Sequence, residues 1–261
     1  MKKVFIVVLY KQSIVACKTL LAFKNIGLFA NPDNFFVIWD NSPGNENERF
    51  SYVDFFSCSK IEYVHTPKNM SLAKIYNQSV KKHFADVYCL FDQDSSISRK
   101  DYDQYLDSVI LNHSSVNVFI PQIFSNGRLF SPGKSFLSHG SHFSALYPGC
   151  HKNSFYTAIT SGMVVRSRVF FERNIWFNES LTLYGIDFDF FRRYRRKDPY
   201  FFLLDVTLDH DLSTVTSSDY QDVKARMEKQ LEAYLIMFKH SIFYPLVWLH
   251  GKIVRMKLSK N

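Results

Sequence analysis

Val87-Tyr88-Cys89-Leu90-Phe91-Asp92-Gln93-Asp94-Ser95 is the segment from which the architecture of this chain is best read. Its apolar and aromatic residues run from Val87 to Phe91 without polar alternation, as in a strand buried on both faces of a helix-covered sheet. Two carboxylates separated by one residue then stand at the C-terminal end, the edge where open α/β sheets place their ligands. Adjacent carboxylates repel unless a cation or hydrogen-bond donors hold them, and hard oxygen ligands suit Mg²⁺ or Mn²⁺ carrying a diphosphate. The structural alternative is a turn in which Asp92 or Asp94 caps the following segment.

Similar runs lie on either side. Residues 4–9, 35–39, 61–65, 87–91 and 116–121 read as strands, alternating with helical patterns. Ser13 is placed to cap a helix with Ile14, Cys17, Leu20 and Leu21 on its apolar face. Leu72, Ile75, Tyr76 and Val80 mark a second helix, and Tyr102, Tyr105, Leu106, Val109 and Ile110 a third behind a Ser98-x-x-Asp101 capping box. Residues 122–160, rich in Ser, Gly, His and aromatics, lose this rhythm and read as a long, partly ordered loop region. A strand-like run at 163–165 and a helix near 169–173 follow. The expected class is α/β, a mainly parallel sheet flanked by helices over residues 1–215, with a helical tail over 216–261.

Composition narrows the partners. Lys and Arg outnumber Asp and Glu by 32 to 24, a net charge of +8 that favours anionic partners such as nucleotides, acidic glycans or phospholipid headgroups. A nucleic acid is not expected among them. Cys17, Cys58, Cys89 and Cys150 form no CxxC pair, which suits a reducing compartment. The apolar run after Lys2 and Lys3 ends at Lys11 without a small-residue cleavage site, so it reads as a first strand, and no stretch reaches the ~18 apolar residues that a bilayer span requires. The expected location is cytoplasmic, peripheral on the inner face of the cytoplasmic membrane.

Two later motifs add polar groups. In Leu183-Tyr184-Gly185-Ile186-Asp187-Phe188-Asp189, Gly185 permits a tight approach, and on a helix Asp187 and Asp189 point in different directions, so their roles can differ. The structural alternative is first-turn carboxylates favouring the helix dipole, with Arg192, Arg193, Arg195 and Arg196 as a solvated face. Leu208-Asp209-His210-Asp211 ends a strand-like run with a histidine between carboxylates, either structural or a metal ligand.

Taken in order, these motifs resemble the family 2 glycosyltransferases of the GT-A fold, in particular the rhamnosyltransferase-like branch of bacterial surface-polysaccharide enzymes that make O-antigen or capsule. The resemblance spans roughly residues 4–215. It implies that Leu9-Tyr10-Lys11 and Asp40, in Val37-Ile38-Trp39-Asp40-Asn41-Ser42, contact the donor nucleotide. Asn69-Met70-Ser71-Leu72-Ala73-Lys74-Ile75-Tyr76-Asn77 is similar to the family's Asn-x-Gly-x-Ala-x-Ala-x-Asn, with Ser71 for Gly and Ile75 for a small residue. Asn69, Asn77, Asp92 and Gln93 are thereby donor-binding. Asp92-Gln93-Asp94-Ser95 resembles the D-x-D metal motif, with Asp92, Asp94 and His210 as ligands of Mg²⁺ or Mn²⁺.

By the same resemblance Asp187 is the catalytic base, Ile186 replacing the usual Glu before it, while Ser161, Gly162, Asp189, Arg192 and Arg193 belong to the sugar or acceptor side. The implied reaction is inverting transfer of rhamnose or a hexose from a dTDP- or UDP-sugar to a hydroxyl of a lipid-linked glycan. No Gln-x-x-Arg-Trp motif follows, against a processive synthase. Two other readings are a haloacid-dehalogenase-type phosphatase using Asp92 as nucleophile, and a non-catalytic nucleotide- or membrane-binding module of the same fold.

In the tail, Ser218-x-x-Gln221 opens a helix with Val223, Met227, Leu231, Tyr234, Leu235 and Phe238 on one face. Ile242, Phe243, Tyr244, Leu246, Val247, Trp248 and Leu249 form an aromatic-rich patch broken by Pro245, followed by Lys252, Arg255, Lys257 and Lys260. Such a patch suits an anionic membrane surface, a core helix or a homodimer contact.

Overall fold

A computed structural model of the protein describes all residues except 45–54, 57–59, 98, 126, 137–138, 144, 211–219 and 259–261; for 135, 136, 139, 140, 142, 210, 220, 222, 257 and 258 it describes the backbone alone. β1 (Lys3–Leu9) is buried at every position. It pairs in parallel with β2 (Asn34–Asp40), which pairs in parallel with β3 (Lys60–His65). On its other side β1 pairs in parallel with β4 (Val87–Asp92). The chain thus leaves β1 in one direction and returns on the opposite side, making a topological switch point between β1 and β4. Register aligns Leu9 with Asp40, Asp40 with His65 and Val8 with Asp92, so the polar ends of all four strands share one edge.

Two cores follow from the pleat. Val4, Ile6 and Val8 face Ala73, Ile75, Tyr76 and Val80, while Phe5, Val7 and Leu9 face Leu20, Phe23, Leu106 and Ile110. The helices concerned are α1 (Lys18–Asn25), α2 (Leu72–Lys82) and α3 (Tyr102–Asn112). Ser71 caps α2 by accepting a bond from the Lys74 amide. Ser13 does not cap α1: a 3₁₀ turn over Ile14–Ala16 intervenes and Cys17 takes the N-cap position. α3 starts behind Asp101, and Ser98 of the expected capping box lies outside the described residues.

β5 (Ser95–Ile97) and β6 (Val118–Ser125) follow. The region expected as a loop is largely strands: β7 (Arg128–Ser131) folds back on β6, and β8 (Gly133–Phe136), β9 (His139–His142) and β11 (Tyr156–Thr157) form a separate three-stranded sheet, with β10 (Gly149–Lys152) in the main sheet. Gly133-Lys134-Ser135-Phe136 and His139-Gly140-Ser141-His142 carry no apolar alternation, and their ladder rests on backbone groups that sequence does not vary.

β12 (Met163–Arg166) enters antiparallel between β4 and β6. β13 (Tyr200–His210) runs parallel to β6 and also pairs with β5 and β10. The main sheet is therefore mixed, in the order β10-β13-β6-β12-β4-β1-β2-β3, with the expected parallel pairing across β1–β4 and between β6 and β13.

The remaining helices are α4 (Ser167–Phe171), α5 (Ile186–Lys197), α6 (Tyr220–Phe238) and α7 (Tyr244–Leu258). Ala233, Met237 and Phe238 of α6 and Val247 of α7 join the same core cluster as Ile186 and Phe190 of α5. Pro245 does not break the tail patch; it sits in the first turn of α7, where a missing N–H leaves no intrahelical bond unmade. Among the described residues no helix is long and apolar enough to cross a membrane.

Candidate active site

The end of β4 is tied down from below. Ser161, fully buried, accepts a bond from the Asp92 amide at 3.1 Å and pairs with the Ser95 hydroxyl at 2.6 Å. The Thr19 hydroxyl donates to the Asp92 carbonyl and accepts from the Ser95 amide at 3.0 Å. Cys17 Sγ and the Thr19 amide both bond the Gln93 carbonyl. These bonds fix the backbone at Asp92, Gln93 and Ser95 and so hold the turn that carries Asp92 and Asp94. Neither Thr19 nor Ser95 was singled out from sequence, since a hydroxyl in a helix or a turn carries no local signature of such a role.

Gly162 is required next to Ser161. Its φ is +76°, and a Cβ there would lie 2.5 Å from Leu208 Cδ1 and 2.7 Å from Pro121 Cγ. Ser161 and Gly162 are thus supports beneath the turn, where sequence placed them on the sugar or acceptor side.

The donor-side residues converge on the same edge. The Tyr10 amide donates to Gln93 Oε1 at 2.7 Å, and the Lys11 amide to Ser42 Oγ at 2.7 Å. Asp40 is fully buried and accepts from the Ser42 amide (3.0 Å) and the Tyr63 hydroxyl (2.7 Å). Asn41 locks Asn69 and Met70 in place through its amide nitrogen (2.9 and 2.8 Å), and its oxygen takes the Met70 amide (2.7 Å). Leu9, Tyr10, Asp40, Asn69 and Gln93 therefore lie in one hydrogen-bonded cradle. Asn77 sits apart from it: buried, it clamps Phe177 through both backbone groups and bonds Glu179 at 2.9 Å. It supports the segment leading to Asp187.

Asp187 is on α5, behind Gly185 in the left-handed conformation (φ +79°). Ile186, where the resembling family has Glu, is buried in the core and anchors the helix start. Burial raises the Asp187 carboxyl to about 6, and backbone N–H groups of Asp187 and Thr160 oppose the shift. Burial, then repulsion from Asp94 and Asp187, raises Asp92 to about 7. Three carboxylates from two elements thus share one electrostatic site. Tyr76, fully buried, is held protonated first by its burial and then by the charge of Asp92.

Beyond Asp187 opens a cavity of about 350 Å³, within the range of small-molecule sites. Asp187, Tyr184 and Phe188 form one wall, Ser131, Lys134 and Thr157 another, and Gln230, Tyr234 and Met237 of α6 a third. Lys134, the α6 residues and the small sheet were not anticipated as site-forming.

Asp189, Arg192 and Arg193 are not among the residues that line this cavity. Asp189, 1% exposed, pairs with Arg192 (2.9 Å) and Arg193 (2.7 Å). Arg192 reaches the Met237 carbonyl and Arg193 that of Trp176. The three residues expected on the acceptor side form an ion-paired brace joining α5 to α6 and to the Trp176 turn, because a buried carboxylate requires such partners.

Among the described residues no group of three or more His, Cys, Asp or Glu is arranged to hold a metal by itself. The carboxylate pair still fits a divalent cation of the Mg²⁺ type, which commonly takes one or two protein carboxylates and completes its shell with phosphates and water. The backbone of His210 pairs with Ser95, next to Asp94; its side chain lies outside the described ones.

No protein-family model matches the chain, and neither does any curated protein by sequence. Solved structures do match. S. aureus TarS 1-349 aligns with a TM-score of 0.60 at 14% identity, over 96% of this chain and 79% of that one. GalNAc-T7, crystallised with UDP, GalNAc and Mn²⁺, aligns with a TM-score of 0.65 at 11% identity, over 91% and 47%. The chain has the GT-A fold. TarS 1-349 in complex with UDP-GlcNAc aligns with a TM-score of 0.57 at 14% identity, over 95% and 69%. The chain spans less than half of GalNAc-T7 and 44% of the longer TarS structure. With the GT-A fold the phosphatase reading loses its basis in fold.

Proposed function

We propose that the protein is a glycosyltransferase that moves a sugar from a nucleotide diphosphate to a hydroxyl held in the Asp187 cavity, with inversion. The observation that supports this most directly is the meeting of Asp92 and Asp187, from separate elements, between a strand-end cradle and a cavity. UDP is also the nucleotide bound in the TarS 1-349 and GalNAc-T7 complexes.

In this mechanism the acceptor hydroxyl gives its proton to the Asp187 carboxylate while its oxygen bonds the anomeric carbon. The bond to the diphosphate oxygen breaks on the opposite face, so one displacement inverts the centre. A base with a carboxyl near 6 is largely ionised at neutral pH yet more basic than a free aspartate. Asp92 and Asp94, with His210 beside them in register, would hold Mg²⁺ or Mn²⁺, which supplies charge neutralisation for the departing diphosphate. Leu9, Tyr10, Asp40, Asn69 and Gln93 orient the nucleotide. The donor we favour is dTDP-rhamnose or a UDP-hexose, and the acceptor a glycan of surface-polysaccharide synthesis.

The test is a panel of dTDP- and UDP-sugars with Mn²⁺ or Mg²⁺, assaying donor-dependent nucleotide release and donor-induced thermal shifts. Asp187→Asn keeps the shape but cannot accept a proton, so turnover falls by roughly 10²- to 10⁴-fold while the donor-induced shift stays. Asp189→Asn would instead lower stability. Unchanged turnover in Asp187→Asn removes Asp187 from the role of base.

A further inference from the structure

The last helix carries an apolar face that is exposed among the described residues. α7 turns Val247 and Gly251 inward, with Leu231 of α6 across from Gly251. On the opposite side Leu246, Leu249, Ile253 and Met256 recur at i, i+3, i+7 and i+10, one continuous stripe on a helix of 3.6 residues per turn. Ile242, in the turn before α7, extends it. These residues are between 40% and 88% exposed. A stripe of this kind on the outer side of a helix marks a contact rather than a solvated surface.

Charge distinguishes the occupant. Residues 239–261 contain Lys239, Lys252, Arg255, Lys257 and Lys260 and no Asp or Glu. By helical position Lys252 lies at one edge of the stripe, with Arg255 further round the helix on the same side. Trp248 lies on the edge shared with Lys252, whose Nζ is 4.0 Å from the ring centroid. A second copy laid on this stripe would bring two cationic rims together, with no acidic residue on α7 to meet them. Anionic headgroups satisfy those rims while acyl chains take the apolar stripe, and an indole beside a cation suits the headgroup boundary.

We infer that α7 lies in the surface of an anionic bilayer, its Leu246–Leu249–Ile253–Met256 stripe among the acyl chains and its lysines and arginine among the headgroups. The same hairpin reaches the cavity, because α6 contributes Gln230, Tyr234 and Met237 to it. A docked α7 therefore holds the Asp187 cavity beside the lipid, where a membrane-borne acceptor would be met. Docking needs neither nucleotide nor metal, so it stands or falls separately from the transferase reading.

The experiment is cosedimentation of the full chain with vesicles of phosphatidylcholine alone or of equimolar phosphatidylcholine and phosphatidylglycerol, without donor or metal. The chain should pellet with the anionic vesicles, leave them partly at high salt and ignore the neutral ones. Leu249→Ser with Ile253→Ser should abolish pelleting, and Lys252→Glu with Arg255→Glu should lower it by roughly 10-fold or more. The changed side chains are at the surface, and unchanged thermal melts would show that the fold is intact. Brominated phosphatidylcholine in the anionic vesicles should quench a fluorescence component that Trp248→Phe removes. Equal pelleting of the wild type and the Ser pair overturns the inference. So does a dimer in solution that the Ser pair dissociates with no vesicle binding by either form, which would assign the stripe to a second copy.

Discussion

At single residues the site is governed by which carboxylates are braced and which are presented. Asp189 is consumed by Arg192 and Arg193, whereas Asp187, two positions earlier on α5, opens into the cavity. Asp94→Ala should weaken metal-dependent donor binding and His210→Ala less so, since a carboxylate contributes charge as well as a ligand. Donor thermal shifts with Mn²⁺ and with a chelator would show this; chelator-resistant turnover would assign leaving-group stabilisation to side chains instead. Gly162→Ala tests the support beneath the turn. Left-handed backbone and the 2.5 Å approach to Leu208 together should cost roughly 3 kcal/mol, read as a lowered denaturation midpoint.

Among elements, the decisive joint is α2 to the segment before α5. Asn77 satisfies both backbone groups of Phe177, so Asn77→Ala would leave a buried N–H and C=O without that partner. We expect a loss of roughly 2–4 kcal/mol and a drop in kcat exceeding any change in donor affinity, because the segment positions Asp187 and not the nucleotide. Wild-type turnover with lowered stability would make Asn77 a folding residue only. The α2 helix was legible from Leu72, Ile75, Tyr76 and Val80, but the target of Asn77, a hundred residues away, was not. Helical periodicity reports which face is buried, not what is buried against it.

The charge of the site bears on stability as one unit. Asp92 and Asp187 bind protons more tightly folded, at about 7 and about 6, than an unfolded aspartate near ~3.9. The stability they contribute is thus fully present below the unfolded value and is lost as pH rises through about 6 and about 7. The metal-free protein should therefore lose stability between about pH 4 and 7 through these groups, and Asp92→Asn should flatten that slope. Mn²⁺ should raise the melting temperature chiefly at the alkaline end, where Asp92 is charged, by binding the native state. Melts across pH with chelator or Mn²⁺ check this; an identical slope in Asp92→Asn would exclude Asp92 as its source.

From its residues alone the chain announced β1 to β4, the buried faces of β1, β2 and β4, and the carboxylates Asp40 and Asp92 that end β2 and β4. Strands covered on both sides appear as unbroken apolar runs, and a strand end is local to its own sequence. Folding had to supply the rest. The antiparallel entry of β12 and the strands within residues 126–160 depend on backbone pairing to which side chains are nearly indifferent. Likewise the bonds of Ser161 to Asp92 and Ser95, and of Asp189 to Arg192 and Arg193, were set by what packed opposite them. A polar group taken out of water must find a partner, and the partner is chosen by the three-dimensional neighbourhood, not by the neighbouring letters.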